Sequence, residues 1–196
     1  MPNAGIPTKM TTLPQLLSSA GYHCHISGKY DVGMATNVHT PEGRGFNSSL
    51  IYFSHAVDHF TQNSYGMGDN CCVCNNTFVD LWDTGKPARA LNGTAYADEL
   101  FLERALDIIK KHDFSAPLYL HYTPHATHDP LQIPLAWLKR FPASPYDESF
   151  CNISIQARLK ICVMLVYICL QFKYTYLKTL ICDLKVQLAT FIQDNL

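Results

Sequence analysis

The pattern of polar and apolar positions near the start of the chain predicts a helix followed by a strand. Thr12 and Gln15 have the spacing of a capping box, and Pro14 falls in a first turn whose N–H groups have no helical partner. Gly21 supplies the left-handed residue that ends a helix. The short run at 22–27 has the length of a strand.

Two glycines flank a lysine and a carboxylate directly after this predicted strand. Gly28 and Gly33 let the backbone come close to whatever Lys29 holds, and Asp31 lies between them. Loops at the ends of strands carry the functional side chains of many α/β enzymes. A fixed lysine suits an anion such as sulfate or phosphate. A solvated surface charge is the alternative interpretation at this point.

Further along the chain, the pattern predicts a helix over 101–111 and a strand over 116–122. The histidine-rich run H-A-T-H-D-P-L-Q-I-P follows at 125–134. A later apolar run at 161–170 is only ten residues long. Because a membrane-spanning helix needs about 20 residues, this run indicates a core helix or an aberrant tail rather than a membrane span.

Several of these segments resemble the sulfatase family. Residues 12–22 and 28–33 are similar to its T-L-P-x-L-L-x-x-x-G-Y helix and its G-K-W-H-x-G loop. Residues 40–47 are similar to its P-x-x-R-G-F-D segment, and 116–134 to its P-L-F-L-Y…V-H-x-P-L-Q-x-P run. The matches cover roughly residues 5–143 in the family's order, and several motifs in one order are more specific than one. The arylsulfatase B type is the branch that they resemble most.

The resemblance implies an α/β fold of the alkaline-phosphatase-like class, in which a mixed sheet lies between helices, present here as a partial domain. We expect residues 1–150 to form the partial catalytic domain. Residues 151–196 contain no glycine, proline, histidine or tryptophan, which is an abrupt change of composition. We therefore expect a divergent apolar tail there, with a helix that continues the domain as the alternative.

The resemblance also assigns candidate catalytic residues. Lys29 matches the family's sulfate-binding lysine, and His128 matches the histidine that contacts the sulfate or the leaving oxygen. Asp31 stands where the family has a histidine that bonds the formylglycine hydroxyl. A carboxylate there would repel a bound sulfate by roughly 4 kcal/mol at about 4 Å and an effective dielectric near 20. It is suited to accept a proton as a general base if it turns away from the anion.

The remaining basic side chains near these motifs are expected to be structural. Arg44, between two glycines, is interpreted as a structural charge partner rather than a ligand. Satisfied structural histidines are expected at the seven other positions named here: His23, His25, His55, His59, His112, His121 and His125.

Sulfatases hydrolyse a sulfate monoester through a formylglycine made from a C/S-x-P-x-R motif, and they use calcium. The 196 residues contain neither that motif nor an adjacent pair of aspartates. We therefore expect no sulfatase turnover from this polypeptide and few of the hard oxygen ligands that calcium needs. Asp194 and Asn195 resemble part of the family's other calcium segment, although a chance dipeptide is the preferred interpretation.

The expected partner is a sulfated small molecule or glycan. A net charge of −1 and the absence of a basic cluster indicate neither nucleic acid nor an anionic membrane surface. Three alternatives stay open: a non-catalytic binder of sulfated glycan, another hydrolase of the same superfamily such as a phosphodiesterase, or a truncated product that does not fold stably.

Cysteines and glycosylation motifs favour a secreted or lysosomal protein. Eight cysteines are present, and the cluster at 71–74 indicates disulfide bonding rather than zinc because no second pair has zinc-site spacing. The cysteines after residue 150 are interpreted as buried thiols. No signal peptide is recognised at residues 1–17. Four N-x-S/T motifs occur, at Asn47, Asn75, Asn92 and Asn152.

Overall fold

The computed structural model describes residues 5–65, 78–126 and 128–138, and it divides into two compact units, Met1–His125 and Ala126–Leu196. Several predictions fall outside the described residues and stay predictions: the cysteine cluster at 71–74, the motifs at Asn75 and Asn152, the boundary at 150, the apolar tail, and Asp194 with Asn195.

In chain order the helices and strands are α1 (Leu13–Ser19), β1 (His23–Lys29), β2 (Ser48–Tyr52), β3 (Ala56–Val57), β4 (Ser64–Tyr65), β5 (Trp82–Asp83), β6 (Lys86–Pro87), α2 (Ala97–Lys111), β7 (Leu118–Thr123) and, in the second unit, α3 (Leu135–Leu138). The first unit is built on a five-stranded mixed sheet with the strand order β6-β5-β2-β1-β7. The central strand β1 pairs in parallel with β2 and with β7, whereas β5 pairs antiparallel with β2 and β6. A separate antiparallel pair is formed by β3 and β4.

Helix α1 has the predicted cap. The Thr12 N–H donates to Gln15 Oε1 at 2.9 Å, and the Thr12 hydroxyl donates to the Arg44 carbonyl oxygen at 2.8 Å. Gly21 follows the helix with a φ of +86°, the left-handed conformation that the sequence predicted. The bond to Gln15 and the left-handed Gly21 thus mark the two ends of this helix, and the Thr12 hydroxyl also ties its start to Arg44.

The sheet lies between α1 and α2 because its strands present apolar side chains to both faces. Along β2, Leu50 and Tyr52 belong to the core that includes Phe101 of α2, whereas Ile51 belongs to the core against which Leu17 of α1 packs. This alternation follows from the period of two residues along a strand. The predicted mixed sheet between helices is confirmed.

The predicted strand at 22–27 continues farther than expected, because Gly28 and Lys29 belong to β1 and pair with its neighbours. A Cβ atom at Gly28, whose φ is +120°, would lie 1.8 Å from the Thr123 carbonyl oxygen. The close backbone approach at this glycine is therefore to strand β7. We expected the small size of Gly28 to make room for a ligand of Lys29. The structure shows instead that it makes room for the neighbouring strand β7.

Helix α2 begins at Ala97, four residues before the start that the sequence pattern predicted, and ends at Lys111 as expected. Its first turn carries Asp98 and Glu99 and its last turn carries two lysines, an arrangement that the helix dipole stabilises. Among the described residues, no helix has the length and apolar character needed to cross a membrane.

Candidate functional site

Three parallel strands end at the same edge of the sheet. Lys29 closes β1 and is paired with Tyr52, the last residue of β2, while Thr123 closes β7. The carboxyl ends of parallel strands are where open α/β sheets bind ligands. The candidate site is therefore defined by the polar and charged side chains of the first unit that follow these strands.

Lys29 is held at this edge by its backbone. Its carbonyl oxygen accepts the Thr123 hydroxyl at 2.8 Å, and the N–H of the next residue, Tyr30, donates to the Tyr52 carbonyl oxygen at 3.0 Å. Its Nζ lies 3.3 Å from Asp31 Oδ2, and the side chains are 23% and 46% exposed. The structure thus brings these two predicted site residues together as an ion pair with access to solvent.

Asp31 adopts a conformation that is uncommon for a residue with a side chain. Its φ is +48°, in the left-handed region that short polar residues such as Asp tolerate best. The backbone is tied down after Asp31, since the Val32 carbonyl oxygen accepts the Ile6 N–H at 3.0 Å and Gly33 forms a bridge with Gly5. Anchors on both sides therefore fix the backbone from which this side chain projects.

His55, in the turn after β2, lies beside this pair. Its Nδ1 lies 3.9 Å from Asp31 Oδ2, and its side chain is 67% exposed. This histidine was expected among the satisfied structural ones, and its position beside Asp31 was not predicted. The available signal was its position just after a buried strand at the carboxyl edge of the predicted sheet.

A buried carboxylate fixes the loop that carries His55. Asp80 is fully buried, and its Oδ2 accepts the N–H groups of Phe53 at 3.0 Å and Ser54 at 2.7 Å. The Trp82 indole donates to the other oxygen at 3.1 Å. Hydrogen bonds of this kind to a charged acceptor are stronger than neutral ones, so the turn after β2 is firmly set.

Behind this edge, two buried histidines stack on each other. The rings of His59 and His125 are 4.2 Å apart, and Tyr96 stacks on the other face of His59 at 4.8 Å. Asp98 contacts both residues. Its Oδ2 lies 3.4 Å from the ring Nδ1 of His59, and its Oδ1 accepts the backbone N–H of His125 at 2.6 Å. This cluster ties the start of α2 to the end of β7.

Arg44 is also structural. It is buried, and its guanidinium donates to the carbonyl oxygens of Met10 at 2.7 Å and Thr8 at 3.4 Å. Within the described residues its hydrogen bonds thus go to backbone carbonyl oxygens before α1, and the expectation of a charge partner is corrected because no acidic side chain there pairs with it. The expectation that Arg44 is not a ligand agrees with this arrangement.

Burial keeps the nearby tyrosines protonated. It raises the pKa of Tyr52, with the charges of Asp98, Asp31 and Asp80 adding to the effect. It also raises the pKa of Tyr30 to about 12. Neither phenol is therefore a base at neutral pH.

His128 belongs to the second unit. Its Nδ1 lies 3.0 Å from the carbonyl oxygen of Asp129, and a cis peptide bond joins Asp129 to Pro130. Its imidazole is partly accessible to solvent. Its predicted role at the sulfate stays a prediction.

The residues that the structure describes do not fit a calcium ion. Within 5–65, 78–126 and 128–138, no three His, Cys, Asp or Glu side chains converge in a group that would hold a metal. The ion pair of Lys29 and Asp31 contains a single carboxylate, which already faces an ammonium group, whereas calcium takes six to eight oxygen ligands.

The family model described as Sulfatase matches residues 1–179. The chain belongs to the sulfatase family. Among curated sulfatases, N-acetylgalactosamine-6-sulfatase from Homo sapiens is 32% identical over 155 residues, which cover 76% of this chain and 28% of that protein. Arylsulfatase J from Mus musculus is 29% identical over 136 residues, which cover 69% of this chain and 22% of that protein. This sulfatase chain thus spans about a quarter of the length of these relatives.

Solved structures show the same fold. The crystal structure of Ps i-CgsB superposes with a TM-score of 0.64 at 21% identity, covering 79% of this sulfatase chain and 35% of that one. BT4656, solved in complex with its substrate D-glucosamine-2-N,6-O-disulfate, gives a TM-score of 0.51 at 19% identity, covering 72% and 25% of the two chains. The α/β sulfatase fold is therefore confirmed.

Proposed function

We propose that this chain supplies the sulfate-binding part of a sulfuric ester hydrolase that acts on sulfate monoesters of sugars or aryl alcohols. The observation that carries the proposal is Lys29, held by backbone hydrogen bonds at the carboxyl edge of a parallel sheet in a chain of the sulfatase family. An ammonium group placed there neutralises the charge on the sulfate oxygens when the ester binds.

The reaction is the splitting of the ester S–O bond by water, which yields an alcohol and sulfate. Lys29 is assigned to the sulfate oxygens, and His128 to the sulfate or the leaving oxygen, through the family motif at its position. Asp31 is assigned to proton transfer when it faces away from the anion. Because the formylglycine motif is not among these 196 residues, we propose that the isolated polypeptide binds a sulfate ester without hydrolysing it.

A sulfated sugar is the substrate class favoured by the comparisons. BT4656 was solved with a disulfated glucosamine, and a second crystal structure of Ps i-CgsB contains k-i-k-neocarrahexaose. These ligands belong to those proteins. They support a sulfated glycan as the partner proposed for this chain, whether the chain acts within a hydrolase or only as a binder.

We also propose that the protein follows a secretory or lysosomal route. Asn47 is exposed, and its Oδ1 accepts the Cys24 N–H at 2.7 Å, so its Nδ2 is left for a glycan. The Nδ2 of Asn92, by contrast, donates to the Thr61 carbonyl oxygen. Asn47 is therefore the better candidate of the two described motifs.

The test measures binding of 4-nitrophenyl sulfate to the 196-residue polypeptide by isothermal titration calorimetry, with release of 4-nitrophenol followed in parallel in the presence of calcium. We expect Lys29→Ala to weaken binding by roughly tenfold or more, the loss of one charge-assisted contact. The matched control is Lys111→Ala, which removes the same charge from an exposed pair with Asp107 on α2.

Equal weakening by Lys29→Ala and Lys111→Ala would contradict the assignment of Lys29, because a general loss of positive charge would then explain the result. Release of 4-nitrophenol that disappears in Lys29→Ala would contradict the proposal that the polypeptide alone does not hydrolyse the ester. A third outcome would favour the non-catalytic binder: the chain binds to beads that carry sulfated glycan, and no hydrolysis occurs even in a longer chain that includes the formylglycine motif.

A further inference from the structure

One oxygen atom of Asp31 faces two basic side chains. Asp31 Oδ2 lies 3.3 Å from Lys29 Nζ and 3.9 Å from His55 Nδ1. Lys29 comes from the end of β1 and His55 from the turn after β2, so the two nitrogens approach from different strands. This oxygen therefore marks a position where an anionic oxygen is held between two nitrogens.

The backbone places the Asp31 carboxylate there at a cost. Its φ of +48° is left-handed, a conformation that costs about 1 kcal/mol or more for a residue with a side chain. The residues on both sides are anchored, Tyr30 to the Tyr52 carbonyl oxygen and the Val32 carbonyl oxygen to the Ile6 N–H. Strained residues that are fixed in this way are concentrated at ligand-binding sites.

Displacing the Asp31 carboxylate from its two partners costs little free energy. The side chains of Lys29, Asp31 and His55 are 23%, 46% and 67% exposed, and ion pairs with such exposure stabilise a protein by at most about 1 kcal/mol. Water solvates the carboxylate as soon as it turns away. Lys29 Nζ and His55 Nδ1 are then the basic groups nearest to the position that the carboxylate leaves, and His55 Nδ1 donates there when the ring is protonated or carries its proton on Nδ1.

We propose that Asp31 is the internal occupant of an anion seat formed by Lys29 and His55, and that a sulfate monoester binds by displacing it. The proposal rests on the function proposed for Lys29 and adds two elements. His55 is a second binding residue for the anion, and Asp31 lowers the affinity of the seat by competing for it. The intrinsic affinity of Lys29 and His55 for sulfate is therefore higher than the affinity that the chain displays.

The decisive variant is Asp31→Asn. Asparagine tolerates the left-handed conformation and has nearly the same shape, so the change removes the charge and leaves the backbone as it is. We expect 4-nitrophenyl sulfate and inorganic sulfate to bind roughly three- to tenfold more tightly, as measured by calorimetry at constant ionic strength. His55→Gln introduced into Asp31→Asn should reverse about threefold of that gain.

The matched control is Asp107→Asn. Asp107 lies 2.9 Å from Lys111 Nζ in another exposed pair, so this variant makes the same change in net charge and also releases one lysine. Because surface charges are screened beyond about 10 Å at ordinary ionic strength, we expect sulfate affinity to change less than about twofold. A gain in Asp107→Asn equal to that in Asp31→Asn would overturn the proposal in favour of net charge alone.

The outcomes separate this inference from the function on which it rests. If sulfate binds in a manner that depends on Lys29 and Asp31→Asn binds it no more tightly, then Asp31 is not an occupant of the seat, and the function proposed for Lys29 stands. If no variant binds sulfate, or if Lys29→Ala has no effect, both proposals fail. A gain in Asp31→Asn that His55→Gln leaves unchanged would remove His55 from the seat.

Discussion

Gly28 shows at the scale of one residue how tightly β1 and β7 are packed. Its φ is +120°, and an added Cβ atom would lie 1.8 Å from the Thr123 carbonyl oxygen and 2.4 Å from the carbonyl carbon. Backbone atoms of a paired strand have little freedom to move aside. The residue next to Lys29 is therefore restricted to glycine by its neighbour in the sheet.

We predict that Gly28→Ala lowers the free energy of unfolding by about 3 kcal/mol or more, because both the conformation and the space exclude a methyl group. The control is Gly21→Ala, where φ is also positive, at +86°, but nothing lies within 4 Å of the added atom. That variant should lose only about 1 kcal/mol. Urea unfolding measures both, and equal losses would contradict the packing argument.

His25 gives a pH dependence at the same scale. Burial lowers its pKa to about 4, and the nearby charges of His112 and His23 add to this effect. The unfolded chain, with a His pKa near 6.5, then binds the proton more readily than the folded one. The stability from neutral His25 is therefore present above about pH 6.5 and is lost as the pH falls toward about 4.

The expected loss across this window is about 1 to 3 kcal/mol, since His25 is partly accessible to solvent. His25→Gln, which keeps a neutral hydrogen-bonding side chain opposite Ser48, should flatten the slope of unfolding free energy against pH. Urea unfolding at several pH values between 4 and 7 measures it. Burial also lowers the pKa of His121, so a smaller slope should persist. An unchanged slope in His25→Gln would assign the pH dependence to other groups.

At the scale of elements, the hairpin of β5 and β6 is joined to α2 by an ion pair. Arg104 of α2 donates through both terminal nitrogens to the Asp83 carboxylate of β5, one of these bonds being 3.0 Å long. The hydrogen bonds from Arg104 hold the pKa of Asp83 below its usual value. These short strands thus depend on a contact with a helix as well as on pairing with β2.

We predict that Arg104→Ala lowers the free energy of unfolding at pH 7 by about 1 kcal/mol, because the partners are largely shielded and the pair is bidentate. A depressed folded pKa means that this contribution is present above the ordinary Asp pKa of about 3.9 and disappears as the pH falls through the folded value. The variant and the native chain should therefore differ less near pH 3. Lys111→Ala, which breaks an exposed pair on the same helix, serves as the control and should change stability little.

At the scale of the whole molecule, the sheet has a helix on each face and its site at one edge. The two apolar clusters share β2, whose alternate residues face α2 and α1. The polar side chains of the site are at the carboxyl ends of β1 and β2, where the backbone is fixed but the side chains reach solvent. The fold thus separates the groups that stabilise the sheet from those proposed to bind an anion.

The sequence by itself determined the features that depend on a few neighbouring residues. The capping box at Thr12 and Gln15, the left-handed Gly21 and the strand that leads to Lys29 were all predicted, because caps and turns depend on interactions within a few residues of chain. The family motifs likewise gave the mixed sheet between helices, which the solved structures confirm.

Only the tertiary structure decided which distant residues meet. The carbonyl of Thr123 restricts position 28, Asp80 fixes the turn before His55, and His55 approaches Asp31 from 24 positions along the chain. No local pattern encodes these contacts, because they depend on which strands become neighbours and on their register. The parallel pairing of β1 and β2 brings His55 to the edge of the sheet where Lys29 and Asp31 lie, because parallel strands end at the same edge even when their residues are far apart in sequence.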